Sequence, residues 1–189
     1  MALTRIQSLG ITDGTIVNAD INSSAAIAGT KLSGAGIVLQ VVSTTKTDTF
    51  TLATGSTTFT DVTGLSASIT PSSASNKVLV FFSINVSNDG ASILQSRLMR
   101  DSTAIAIGDT RGSRQRATIG NYNGVGNSAH IQTMAQSFLD SPSTTSATTY
   151  KIQIATETAS MYVNRNSRDA NASYEGTYIS SITLMEVKG

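Results

Sequence analysis

From residue 37 onward, large apolar residues fall in short runs that alternate with polar ones, the period of two expected of half-buried strands. The pattern predicts strands over 37–45, 47–52, 57–62, 65–70, 77–86, 93–100, 103–108, 130–140, 149–156, 160–165 and 178–187, separated by Ser, Asn, Gly and Asp turn signals. Two of these, 93–100 and 130–140, can also be read at helical spacing, as Ile93, Leu94 and Leu98 illustrate. Both prolines, Pro71 and Pro142, fall in connections, where a missing N–H is harmless. Strands this short and this evenly spaced predict an all-β sandwich or jelly roll rather than an α/β fold.

The first 36 residues follow another rule. Ile6, Ile11, Ile16 and Ile21 recur every five positions, and after one slip the spacing resumes at Ile27, Leu32 and Ile37. Neither a helix nor a strand has that period. A single extended segment cannot bury those side chains alone, so the spacing calls for a partner, either further copies wound about an axis or a groove in another protein. A flexible leader with accidental spacing is the plain alternative. No aromatic residue precedes residue 37, and the boundary is placed at 36, between an N-terminal segment (1–36) and a β-sandwich domain (37–189).

Composition narrows the partners. The net charge is +1 and only 13% of residues are charged, which argues against nucleic acid or an anionic membrane held by bulk charge. Ser and Thr cover the surface instead, as expected of pleated sheets with polar turns. With no cysteine and one histidine, disulfides, thiolate metal sites and the usual zinc ligand sets are absent, and no metal or cofactor is expected. No stretch reads as a signal peptide or a membrane span, so the expectation is a protein made in the cytoplasm without a secretion signal.

Catalytic constellations are equally sparse, and no enzyme activity is expected. His130 opens an apparent strand and reads as a structural or interface residue. The three glutamates, Glu157, Glu175 and Glu186, offer no obvious facing pair for glycoside hydrolysis, and the aspartates sit mostly at turns. The most concentrated charge is Arg111, Arg114 and Arg116, which could clamp anionic groups or pair structurally, with Asp101 and Asp109 or with a neighbouring subunit of a trimer; the structural reading is preferred, for Arg97 and Arg100 as well.

Three passages, RLMRDSTAIAIGDTRGSRQRATIGNY, SFLDSPSTTSATTYKIQI and the closing ISSITLMEV, resemble the C-terminal receptor-binding heads of tail fibres from marine and cyanobacterial phages. The leader ITDGTIVNADINSSAAIAGTKLSG is similar to the segments that precede such heads. The resemblance implies a homotrimeric jelly-roll head of the tumour necrosis factor class, on a virion structural protein that docks through residues 1–36 onto a tail or baseplate protein. On that reading Ile6, Ile11, Ile16, Ile21, Ile27 and Leu32 serve anchoring or trimerisation.

Two loops have the Asn, Gly, Ser, Arg and Tyr composition of adaptable contact surfaces, at 121–129 and 164–176. Amides can match sugar hydroxyls and a tyrosine can stack on a pyranose face. Asn121, Tyr122, Asn123, Arg165, Arg168 and Tyr174 are therefore the candidate contacts for a host surface polysaccharide or lipopolysaccharide. The expected function is host attachment by a short trimeric tail fibre on the virion exterior. The alternative is a capsid decoration or other exterior virion protein without a receptor role.

Overall fold

Alternation along each strand sends side chains to opposite sides, and in the computed structural model, which describes residues 36–124 and 129–189, those sides become the inner and outer faces of two antiparallel sheets. The strands are β1 (Val38–Lys46), β2 (Phe50–Leu52), β3 (Thr60–Ile69), β4 (Lys77–Asn88), β5 (Ser92–Arg100), β6 (Thr103–Ile105), β7 (Ile119–Asn123), β8 (Gln132–Asp140), β9 (Thr148–Thr156), β10 (Met161–Val163) and β11 (Ser180–Val187). None of the described residues is helical, so the period of two prevails in 93–100 and 130–140. The anchoring candidates Ile6, Ile11, Ile16, Ile21, Ile27 and Leu32 lie outside the described residues.

In the first sheet β1 pairs with β11 and β11 with β4, while β8 takes the other edge of β4. Beyond the end of β11, β10 pairs with the last residues of β4 and carries β2 on its far side. In the second sheet the order is β3, β9, β5, and the free edge of β5 is shared by β6 and β7. The inner faces meet in one core built on Leu65, Ile69, Phe82, Ile84, Leu94, Leu98, Met134, Tyr150, Ile152, Ile154, Ile182 and Leu184. The observed architecture is thus a β-sandwich, as the strand pattern predicts.

Two segments differ from the sequence reading. The runs 57–62 and 65–70 form one strand: β3 is interrupted by a bulge in which Asp61 faces Gln153 but Ser66 already faces Lys151. Gly64 sits in that bulge at φ 82°, a left-handed conformation that suits glycine. Residues 119–123 form an edge strand, β7, where only a loop was expected. Its polar sequence IGNYN gives no strand signal, and its register comes from β5.

Each end of the core is closed by polar side chains. At the end where β4 begins, Glu186 and Asp140 both lie across from Val78 on the inner side of the sheet. Glu186 is almost fully buried and accepts from Ser72 N (2.6 Å), Ser72 Oγ (2.8 Å), Asn76 Nδ2 (2.5 Å) and Gln40 Nε2 (2.6 Å). Burial pushes its carboxyl up, but these hydrogen bonds outweigh burial and hold it below the ordinary glutamate range. Asp140 accepts from Arg100 Nη1 (2.9 and 3.0 Å) and from the hydroxyl of buried Tyr150 (2.7 Å), tying β8 to β5 and β9. Burial, then the bond to Asp140, pushes the Tyr150 hydroxyl far up.

At the opposite end, where β4 finishes, amides do the closing. Asn164, fully buried at φ 63°, donates from Nδ2 to the carbonyls of Lys46 (2.9 Å) and Asp48 (3.0 Å) and accepts from Ser180 Oγ (2.6 Å). Its main chain bonds to Asn85 and Tyr178. Asparagine tolerates the left-handed region better than most residues, so one side chain both turns the chain and fastens the base of the 164–177 loop.

Candidate functional site

The end of the sandwich held by Asn164 gathers both predicted contact loops, because consecutive residues of β4 hold one each. Ser87 Oγ donates to the carbonyl of Arg165 (2.8 Å), and Asn88 Oδ1 accepts from Asn123 Nδ2 (2.6 Å). The β4–β5 turn adds a third tie: Asp89 accepts from Ser160 N (2.9 Å) and from the Tyr162 hydroxyl (2.8 Å). Burial raises the Asp89 carboxyl, yet the Tyr162 and Ser160 hydrogen bonds win and leave it below its ordinary value. The Tyr162 hydroxyl is pushed up by its own burial and by the same bond.

The six candidates divide by exposure. Asn123 is buried, bonded to Asn88, and faces inward; it positions β7 and is corrected from a contact residue to a supporting one. Its neighbours Asn121 and Tyr122 are exposed, and Tyr122 stands across from Ile93 on the outer face of the second sheet. Arg165 is held from several sides: its guanidinium lies 4.1 Å from the Tyr162 ring centroid, Nη1 donates to the Asn166 carbonyl (3.1 Å), and Asp169 lies 3.4 Å away. It acts as a brace, with little left to offer a ligand. Arg168 pairs with Glu175 and lies 5.2 Å from the centroid of the Tyr174 ring. Tyr174 itself is 75% exposed, the most open of the exposed large apolar side chains.

The 164–177 loop also encloses a polar recess of about 170 Å³, lined by Arg165, Asn166, Asp169, Asn171, Glu175 and Thr177 among others. Asn166 donates to Glu175, and Asp169 N donates to Asn166 Oδ1 (3.0 Å), so the recess has defined walls. An exposed aromatic ring braced by an arginine beside such a recess suits a sugar: the ring takes the C–H face, the amides and carboxylates take hydroxyls. Composition points to this loop, but neither to the buried bonding of Asn164 nor to the bonds of Glu175 with Asn166 and Arg168. A buried asparagine hub leaves no signal in composition.

Other candidates fall elsewhere. His130 is exposed just before β8. Among the described residues none of Arg111, Arg114 and Arg116 forms an ion pair with Asp101 or Asp109, which corrects the expected pairing within the chain. Asp101 Oδ1 instead accepts from Thr149 N (2.9 Å), and Arg116 Nε donates to the Gly108 carbonyl (2.6 Å). Among the described residues no three His, Cys, Asp or Glu side chains gather as a metal site would require, and no helix is long and apolar enough to cross a membrane. No protein-family model matches the chain, and a search of curated proteins finds no relative.

Proposed function

We propose that this chain is a virion structural protein of the phage tail-fibre type, a homotrimer whose sandwich binds a host surface glycan and whose residues 1–36 dock on the particle. The observation that carries the reading is polarity along the molecule. The chain enters the sandwich at Gly36, whose N–H donates to the Lys188 carbonyl (3.0 Å) beside the Glu186 end, while Tyr174 and the 164–177 recess lie at the other end. Attachment and contact are segregated as an adhesin requires.

Strand order supports the jelly-roll form. One sheet runs β1-β11-β4-β8 and faces β3-β9-β5-β7, and the links β2–β3, β3–β4, β4–β5, β7–β8, β8–β9 and β9–β10 each pass from one sheet to the other. The outer faces support trimerisation. On the first sheet one cross-strand row reads Leu139, Leu79, Met185, Val41, with exposed Phe81 in the next row and no charge in either. The second sheet instead presents Asp61, Lys151, Gln153 and Arg97, joined to one another by hydrogen bonds. A neutral apolar face fits a repeated contact about a three-fold axis, and a charged face fits solvent or a polar ligand.

Binding of the labelled full-length chain to arrayed bacterial polysaccharides and to marine and cyanobacterial cells tests the function. Attachment that Tyr174→Ala weakens at least tenfold supports it. A folded trimer that attaches to no surface would favour the decoration role.

A further inference from the structure

A second cleft lies away from the 164–177 loop, on the outer face of the second sheet, where the β2–β3 and β6–β7 connections approach each other. Gln115 Nε2 donates to the Thr57 carbonyl and bridges those connections. Both residues line two adjoining hollows, one of about 520 Å³ and one of about 200 Å³. Together they fall within the size range of small-ligand sites.

The larger hollow is cationic. Besides Thr57 and Gln115 it is lined by Phe59, Arg97, Ile107 and Arg116. Arg97 is only partly exposed, and it is fixed: its guanidinium lies 4.2 Å from the Phe59 ring centroid, and Nε donates to Gln153 Oε1 (2.8 Å). Arg116, on the exposed β6–β7 connection, is tethered by one bond, from Nε to the Gly108 carbonyl. Among the described residues neither arginine has a carboxylate within ion-pair distance, and neither uses its terminal Nη atoms in a protein hydrogen bond. Asp61, whose charge acts on Arg97, is already engaged by Lys151 (2.6 Å) and Gln153 (2.6 Å). One stacked and one tethered guanidinium group, both with uncommitted terminal amines and both lining this hollow, make an anion clamp.

The smaller hollow has the opposite character. Exposed Ile93 supplies apolar surface, Ala155 lies almost fully buried in the lining, Gln95 supplies an amide, and Glu157 supplies a carboxylate. That combination suits the C–H face and hydroxyls of a sugar, and Glu157 repels a second acid. The exposed Tyr122 ring stands directly across from Ile93 and borders this side.

We propose that this cleft binds an acidic saccharide, with its anionic substituent held between Arg97 and Arg116 and its neutral ring on the Ile93 and Ala155 side. The inference refines the glycan-binding reading by naming a ligand class and a second contact region.

Isothermal titration of the intact chain with trigalacturonate, glucose 6-phosphate, maltotriose and inorganic phosphate tests it without recourse to cells. Binding of trigalacturonate or glucose 6-phosphate, with little for maltotriose, is expected, and the two anionic arms tell carboxylate from phosphate. Arg116→Gln, at an exposed position, should weaken that binding about tenfold, the loss of one charge-assisted contact, with an unchanged thermal melt. Arg97→Gln should act in the same direction. Equal binding of maltotriose, an Arg116→Gln variant that binds as the parent does, or no anionic sugar bound would overturn the proposal. A chain that attaches to cells but takes neither acidic sugar loses this cleft alone; one that takes the sugar but attaches to no cell keeps the cleft and loses the adhesin role.

Discussion

Replacing Glu186 by glutamine keeps the size and shape of the side chain but changes one oxygen into a donor. In the native protein Oε1 receives three hydrogen bonds, from Ser72 N, Ser72 Oγ and Asn76 Nδ2, and Oε2 receives the fourth from Gln40 Nε2. The new amide can retain the first three on its oxygen, but its NH2 then faces the NH2 of Gln40. Turning the Gln40 amide over would restore that bond and lose the one it makes to the Thr70 carbonyl (2.8 Å). One charge-assisted bond is lost outright and three are weakened, so a destabilisation of about 2–4 kcal/mol at pH 7 follows. The sign of its pH dependence is fixed. The folded carboxyl titrates below its unfolded value, so its stabilising contribution is complete above about pH 4.3, the unfolded glutamate value, and is lost as pH falls through the folded one. Urea unfolding of both proteins at fixed concentration, from pH 7 down to pH 3, should therefore show the gap between them closing in acid. A gap of the same size at pH 3 and pH 7 would refute the reasoning, because the penalty would then come from packing and not from charge.

The same end of the core supplies a second test: Tyr150→Phe removes a buried donor to Asp140 while leaving Arg100 in place, and should cost about 1.5–3 kcal/mol in urea titrations at pH 7. Asn164→Ala removes three buried hydrogen bonds and the side chain best suited to φ 63°, so a loss of about 3 kcal/mol or more is expected, with faster proteolysis of the 164–177 loop. Gly64→Ala meets no clash, since an added Cβ would lie 3.6 Å from Lys46 Nζ, but φ 82° is strained for alanine and should cost about 1–2 kcal/mol by thermal or chemical unfolding. Val41→Glu with Leu139→Glu places charges on the exposed apolar row of the first sheet; under the proposed trimeric assembly, light scattering should then show protomers where the parent chain gives trimers, with the β-sheet circular dichroism retained.

Strands with strong alternation were legible because their own residues decide their faces: β4, β9 and β11 bury every second side chain along most of their length. β7 was not legible, since Gly120, Asn121 and Asn123 disfavour strands and only the neighbouring edge of β5 holds them in one. The bulge in β3 split one strand into two apparent runs for the same reason: its continuity resides in the partner β9. Of the candidate contacts, Tyr122 and Tyr174 could be found by type and setting, whereas the burial of Asn123 depends on Asn88, a residue 35 positions away. The cationic cleft was hidden more deeply. Phe59, Arg97 and Arg116 come from separate strands and connections, and no local pattern joins them.

Returning to where the chain enters the sandwich, Gly36 and Ile37 are stapled to Lys188 by two main-chain hydrogen bonds, and β1 then runs antiparallel to β11 from Val38 to Lys46. A pull applied through residues 1–36 and resisted by a ligand at the far end would act nearly along β1. The β1–β11 ladder would then be loaded in shear, its hydrogen bonds sharing the force together instead of opening one after another. Pulling the two chain ends apart sideways would unzip the same ladder bond by bond. In the adhesin role proposed above, the placement of the first strand would set this ladder against the pull in shear and not in peel.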